Sequence, residues 1–201
     1  MKTDVIVVSS KGLRMEKALA EVDKVSAYKE LSPKGAMHLR LLTEEMMGMM
    51  RSITGETEGK FWIEDKDGVY GLHLQVETRM TSTKREQLLA ASSSGRNESA
   101  RGLMGRLRDF FDRGADEDVS VMCSPMLLSG FQEYVAGSSL DWEWSMTRYE
   151  QALTDGVERH DEAASEAWDE LEKSVVAHVA DDIRVAIRGT RVEMTIEKEL
   201  A

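Results

Sequence analysis

The sequence predicts an α+β protein, a two-layer α/β sandwich in which one mixed, mostly antiparallel sheet carries its helices on one face. Three observations predict it. Long stretches repeat apolar residues every three or four positions, the mark of amphipathic helices. Two other stretches alternate apolar and polar residues about a turn, the mark of hairpins with one buried face. The helical stretches fall between the hairpins in chain order, which suits a sheet covered from one side.

Asp4 to Ser9 reads as a strand, with Val5 to Val8 supplying β-branched residues. Gly12 breaks it. Met15, Ala18, Leu19, Val22, Val25 and Tyr28 then make one face of a helix over 13–30. Ser32-Pro33 pairs a capping hydroxyl with proline at the first helical position, and the helix it opens runs to about Ser52. Leu39, Leu42, Met46, Met49, Met50 and Ile53 form its apolar stripe, and Thr54-Gly55 ends it.

The period then drops to two. Phe61 and Ile63 alternate with Trp62 and Glu64, a turn follows at 65–68, and Tyr70, Leu72, Leu74 and Val76 continue opposite His73, Gln75 and Glu77. Residues 78–100, with Ser92-Ser93-Ser94-Gly95, have the composition of a mobile loop or lid. Leu103, Met104, Leu107, Phe110 and Phe111 share one face of a helix over 99–113. Further on, Val119 to Met122 suits a strand and Ser124-Pro125 a helix start, carried through Tyr134. Trp142, Trp144 and Met146 alternate as a strand. A polar helix over about His160 to Val179 turns Ala164, Trp168, Leu171, Val175 and Val179 inward. Ile183, Val185 and Ile187, then Gly189-Thr190, then Val192, Met194 and Ile196 form a closing hairpin. There is no internal repeat. The chain reads as a single domain over 1–201, with residues 114–160 as an insertion or subdomain.

Composition limits the function classes. The chain has 201 residues, 31% of them charged, and only two prolines, a globular rather than a disordered balance. A net charge of −11 opposes non-specific attraction to nucleic acid or anionic lipid. No apolar run approaches the ~20 residues of a bilayer span. The first residues lack the apolar core of a signal peptide, and the single Cys123 fits a reducing compartment. A cytoplasmic protein with neither nucleic acid nor membrane as partner is expected.

One segment carries a family likeness. The helix from Ser32-Pro33 contains Leu39-Arg40-Leu41-Leu42-Thr43-Glu44-Glu45-Met46-Met47-Gly48-Met49-Met50. A hairpin follows it, then a polar segment, then Arg101-Gly102-Leu103-Met104-Gly105-Arg106-Leu107, and a second hairpin closes the chain. This order resembles the histidine-kinase-like ATPase domain shared by gyrase, histidine kinases and bacterial anti-sigma-factor kinases. The likeness covers most of residues 1–113 and the final 40. In that family the helix bears a double Glu with Asn four residues after the second, one activating a nucleophile and the other holding Mg²⁺. The resemblance makes Glu45 the catalytic position, and Arg101, Gly102, Leu103 and Gly105 the nucleotide contacts, with ATP or ADP as the ligand.

The departures matter as much. Four residues after Glu45 stands Met49, and four after Glu44 stands Gly48, so neither alignment supplies the hard oxygen ligand that Mg²⁺ requires. Val76-Glu77-Thr78-Arg79 lacks the family's adenine-reading Asp-Gly. The expectation is a degenerate member, a regulatory or ligand- and protein-binding module without ordinary Mg-ATP catalysis, without a metal site and with no established cofactor. Two other readings stand beside it. One is an active ATP-dependent serine/threonine kinase resembling the anti-sigma regulators; the other is an interaction protein of unrelated α+β fold.

The remaining chemistry-bearing residues have bland readings. Met46, Met49 and Met50 are core, with Met47 pointing elsewhere, ahead of an adaptable thioether surface. His38, His73, His160 and His178 share no metal spacing. Cys123 is a small buried hydrophobe. Arg96, Arg101, Arg106, Arg108 and Arg113 suit an anion site and a solvated face equally. Trp142, Trp144 and Trp168 read as core, and the acidic run from Asp155 to Glu172 as a solvent face.

Overall fold

The computed structural model describes residues 1–9, 13–54, 58–77, 131–134, 141–188 and 191–200. Its elements in order are β1 (Ile6–Ser9), α1 (Leu13–Tyr28), α2 (Pro33–Thr54), β2 (Glu58–Lys66), β3 (Val69–Glu77), β4 (Phe131–Tyr134) and β5 (Asp141–Ser145). Then come α3 (Met146–Glu158), α4 (Glu162–Glu172), α5 (Val175–Val179), β6 (Asp182–Arg188) and β7 (Arg191–Glu199). The strands form a seven-stranded sheet in the order β1-β2-β3-β7-β6-β5-β4. The α+β class and antiparallel sheet are as expected. The sheet is not mixed, because every pairing among the described residues is antiparallel.

Alternation along the strands gives the sheet two unlike faces. Phe61, Ile63, Leu72, Leu74, Ile183, Val185, Met194 and Ile196 point to one face and are buried. The helices lie on that side: α2 packs on β3 and β7, α3 on β5 and β6, and side chains of every helix join one apolar core. The β2–β3 turn is a two-residue connection in which Asp67 and Gly68 both take positive φ, 55° and 91°. That combination twists a hairpin the way its strands already twist, and it favours the Asp-Gly pair.

The order strand–helix–helix–strand–strand occurs twice, as β1-α1-α2-β2-β3 and as β5-α3-α4-β6-β7, the second with α5 added. A two-fold operation normal to the sheet, between the paired residues His73 and Thr195, exchanges β2 with β6 and β3 with β7 in order and register, and β1 with β5 in strand order only. It carries Phe61 to Ile183, Ile63 to Val185, Leu72 to Met194 and Leu74 to Ile196. The sequence hides this repeat because the matched buried positions share apolar character without identity, and the outward ones differ even in polarity.

Several expectations are corrected. Met47 is fully buried alongside Met46, Met49 and Met50, so α2 buries more than a single stripe. Thr43 is buried too, its hydroxyl donating to the Leu39 carbonyl at 2.8 Å, four residues back. Tyr28, the last residue of α1, is 76% exposed. Residues 131–134 are strand, not the end of a helix. Met146 does not continue a strand. Ser145 accepts from the Arg148 N–H and starts α3, an element the sequence reading did not assign. The helix expected over 160–179 is two, since Ser174 accepts from the Ala177 N–H and begins α5 afresh. That restart shifts the helical phase, exposing Val175 and burying Val176.

Candidate functional site

The other face of the sheet carries no helix among the described residues. Its outward side chains are largely polar, and at its centre several of them half-bury one another. The two-residue turn at Asp67–Gly68 fixes the β2–β3 register and sets Trp62 beside His73. The two rings stack with centroids 5.0 Å apart and planes within 5°. On the far side Lys2 holds its ammonium 5.2 Å from the Trp62 ring centre, a cation–π contact.

Gly71 makes the arrangement possible. A Cβ at this position would stand 2.8 Å from His73 Nε2, so the imidazole rests where any larger residue would put its side chain. Glu64, paired across from Gly71, is the polar hub. Its Oε1 accepts from Lys2 Nζ at 2.9 Å and from Trp62 Nε1 at 3.2 Å. Its Oε2 lies 3.6 Å from Lys66 Nζ and 3.8 Å from His73 Nε2. Hydrogen bonding from Lys2 lowers the Glu64 carboxyl to about 2, with Trp62 and His73 acting in the same direction and partial burial against them.

His73 Nδ1 sits 3.2 Å from the Thr195 hydroxyl on β7. Burial lowers the His73 pKa, and Glu64 only partly offsets it, so the ring is neutral at neutral pH. A proton on Nε2 is directed towards the Glu64 carboxylate, 3.8 Å away and beyond hydrogen-bonding distance, and leaves Nδ1 to accept from the Thr195 hydroxyl. Carboxylate, imidazole and hydroxyl therefore line up across β2, β3 and β7. Among the described residues, the backbone N–H groups in this part of the sheet serve the ladder, so none is free to stabilise an oxyanion beside Thr195. The arrangement is aromatic and hydrogen-bonding.

The two-fold exchange does not duplicate the site. It carries Trp62 to Arg184, Gly71 to Glu193 and Glu64 to Ala186. Where one unit has stacked rings, the other has charge, with Arg184 bound to Glu197 and reaching Asp182 at 3.4 Å. The face that carries no helix among the described residues thus offers an aromatic half and an ionic half, meeting at His73 and Thr195.

The residues named from the sequence fall elsewhere. Glu45 is half-buried on α2, one turn from Met49, whose thioether is core. Gly48 faces outward with no atom within 4 Å of the place a Cβ would take. Arg101, Gly102, Leu103 and Gly105 lie outside the described residues, as do the expected helix over 99–113, the loop at 78–100 and Cys123. The Trp62–His73 pair was within reach of the sequence, since a two-residue turn at 67–68 and period-two alternation place those two opposite each other. Thr195 was not, because its pairing with His73 spans the chain.

Among the described residues no group of three His, Cys, Asp or Glu is placed to hold a metal ion, and no helix is long and apolar enough to cross a membrane. Comparison of the chain with family models, curated proteins and solved structures finds no match.

Proposed function

We propose that this chain is a binding module whose working surface is the uncovered sheet face around Trp62 and His73, and that it carries out no Mg-ATP chemistry. The observation that carries the reading is the seat of the His73 ring. Glycine at 71 leaves the room, and Trp62, Thr195 and Glu64 hold the imidazole in it. Aromatic edges beside hydrogen-bonding and charged groups, fixed on regular strands, form a surface ready to bind with little ordering cost.

The ATPase resemblance belongs to the same proposal in its degenerate form. Its support is the order of helix, hairpin and closing hairpin, with Glu45 on α2. The duplicated strand–helix–helix–hairpin plan accounts for that order equally well without a nucleotide site. Met49 in the core and Gly48 without a side chain leave Mg²⁺ no ligand at either position.

The test is selection of a random displayed peptide library on the folded protein, counter-selected on Trp62→Ala and His73→Ala. Peptides retained by the parent and lost by both variants support the reading. Peptides held equally by all three proteins overturn it.

A further inference from the structure

Among the described residues, the face that carries no helix divides its charge unevenly. On the ionic half each arginine of β6 and β7 has a carboxylate near it. Arg184 pairs with Glu197 and Asp182, Arg188 lies 3.8 Å from Glu193, and Arg191 lies 3.3 Å from Glu77. The aromatic half is different. Lys2 and Lys66 share the single carboxylate of Glu64, at 2.9 and 3.6 Å. Lys60 is exposed and pairs with no carboxylate among the described residues. With Glu77 turned to Arg191, this half holds three ammonium groups against one carboxylate, on a chain whose overall charge is −11. Apolar side chains lie among them. Val7 stands opposite Lys60 and Val69 opposite Lys66, 54% and 37% exposed.

We infer that the occupant of the aromatic half is an extended peptide segment of a partner protein, with Asp or Glu flanking apolar residues. The inference rests on the binding reading above and names the ligand class of that surface. Outward residues of β2 repeat about every 7 Å, which sets Lys60 and Lys66 about 20 Å apart with Trp62 and Glu64 between them. An extended peptide of about seven residues has the same repeat. Carboxylates at its two ends then meet Lys60 and Lys66, while apolar residues between them meet Trp62 and the exposed valines. Glu64 repels an acid at the middle, so the pattern is acidic ends about an apolar centre. The excess positive charge selects such a segment over a neutral or basic one of the same shape. A nucleic acid would bring the same negative charge, but Trp62 is already stacked on His73 with Lys2 over its ring, and so offers no open ring to a base.

Amide and indole NMR titration of the whole chain with the capped peptide Glu-Glu-Val-Ser-Val-Glu-Glu, and with versions carrying Gln or Lys for every Glu, tests this. The Glu peptide should shift the Trp62 indole and the Lys60 and Lys66 amides saturably, and the other two should bind at least about threefold more weakly. Lys60→Glu, at an exposed position, should weaken the Glu peptide at least about threefold with the circular dichroism spectrum unchanged. Lys17→Glu makes the same charge change at an exposed position of α1 and should leave that Kd as it was. Absence of saturable binding, equal binding of the Gln version, or an equal response to Lys17→Glu overturns the inference. So does tighter binding of a hexathymidylate oligonucleotide at the same indole. Library peptides that need both Trp62 and His73 yet carry no excess of Asp and Glu overturn this inference alone. Peptides held equally by the parent and both alanine variants overturn the binding reading beneath it.

Discussion

Replacing Gly71 by Ala isolates the contact on which the site is built. The added Cβ would stand 2.8 Å from His73 Nε2, so the imidazole must swing out. Three terms follow. Losing the stack on Trp62 costs about 0.5–1.5 kcal/mol, and losing the hydrogen bond to Thr195 a similar about 0.5–1.5 kcal/mol. Against them, Ala is favoured over Gly inside a strand by about 0.5–1 kcal/mol. The net destabilisation is about 1 kcal/mol, too small to identify the cause alone. A double-mutant cycle does identify it. In a His73→Ala background the ring is gone, the first two terms vanish, and Gly71→Ala becomes neutral or stabilising by about 0.5–1 kcal/mol. Urea unfolding of the four proteins should give a coupling of about 1–3 kcal/mol, the sum of the two terms that vanish. NMR titration should show the His73 pKa rising towards its ordinary value in Gly71→Ala, because the displaced ring regains solvent. A coupling below about 0.3 kcal/mol would refute the argument that the glycine exists to seat the imidazole.

Three further outcomes follow from the same geometry. Glu64 has its folded-state carboxyl pKa lowered from an ordinary 4.5 to about 2, so its contribution is complete above 4.5 and is lost as pH falls from there towards 2. Glu64→Gln should therefore cost about 1–2 kcal/mol at pH 7, after discounting for the exposed Lys2 partner, and nearly nothing at pH 2 by urea unfolding; an equal cost at both pH values contradicts the assignment. Asp65 is buried, ion-paired to Lys29 Nζ at 2.5 Å and accepting from the Gly68 N–H at 3.1 Å, so Asp65→Asn should destabilise by about 1–3 kcal/mol in thermal unfolding. Leu72→Ala, at a fully buried position opposite Ile196 and Ile63, should cost about 2–5 kcal/mol by urea unfolding and leave peptide recognition at the uncovered face unchanged.

What could be read from the sequence divides along physical lines. Local period and turn chemistry settle β2, β3, β6 and β7, because alternation marks the buried face and Asp67–Gly68 marks the reversal. Helices α1 and α2 follow from apolar spacing in the same way. The reading failed where a boundary depends on one capping hydroxyl. Ser145 turns a strand into α3, and Ser174 divides a single expected helix into α4 and α5. Met47 was misplaced because a one-stripe picture understates a helix that meets both the sheet and its neighbouring helices.

The site shows the same division. Trp62 opposite His73 is a local consequence of hairpin register and could have been found. The seat over Gly71 depends on ring orientation, and Thr195 on the meeting of two distant halves, so no local pattern carries either. The family resemblance drew attention to Glu45 and the segment from Arg101, while the best-built polar cluster among the described residues lies on the opposite side of the sheet from α2. The repeated plan stayed hidden for a related reason, since packing keeps matched core positions apolar and is indifferent to residue identity.

The central claim is that recognition uses the uncovered face and that Mg-nucleotide chemistry is absent. An amide and indole NMR titration of the labelled protein, first with ATP with and without Mg²⁺ and then with a selected peptide, tests it most directly. The account predicts that the peptide shifts the Trp62 indole and the amides around Gly71, His73 and Thr195, and that Mg²⁺ does not strengthen any response to ATP. Saturable, Mg²⁺-dependent ATP shifts centred on α2 around Glu45, with the Trp62 indole unmoved by peptide, would contradict it.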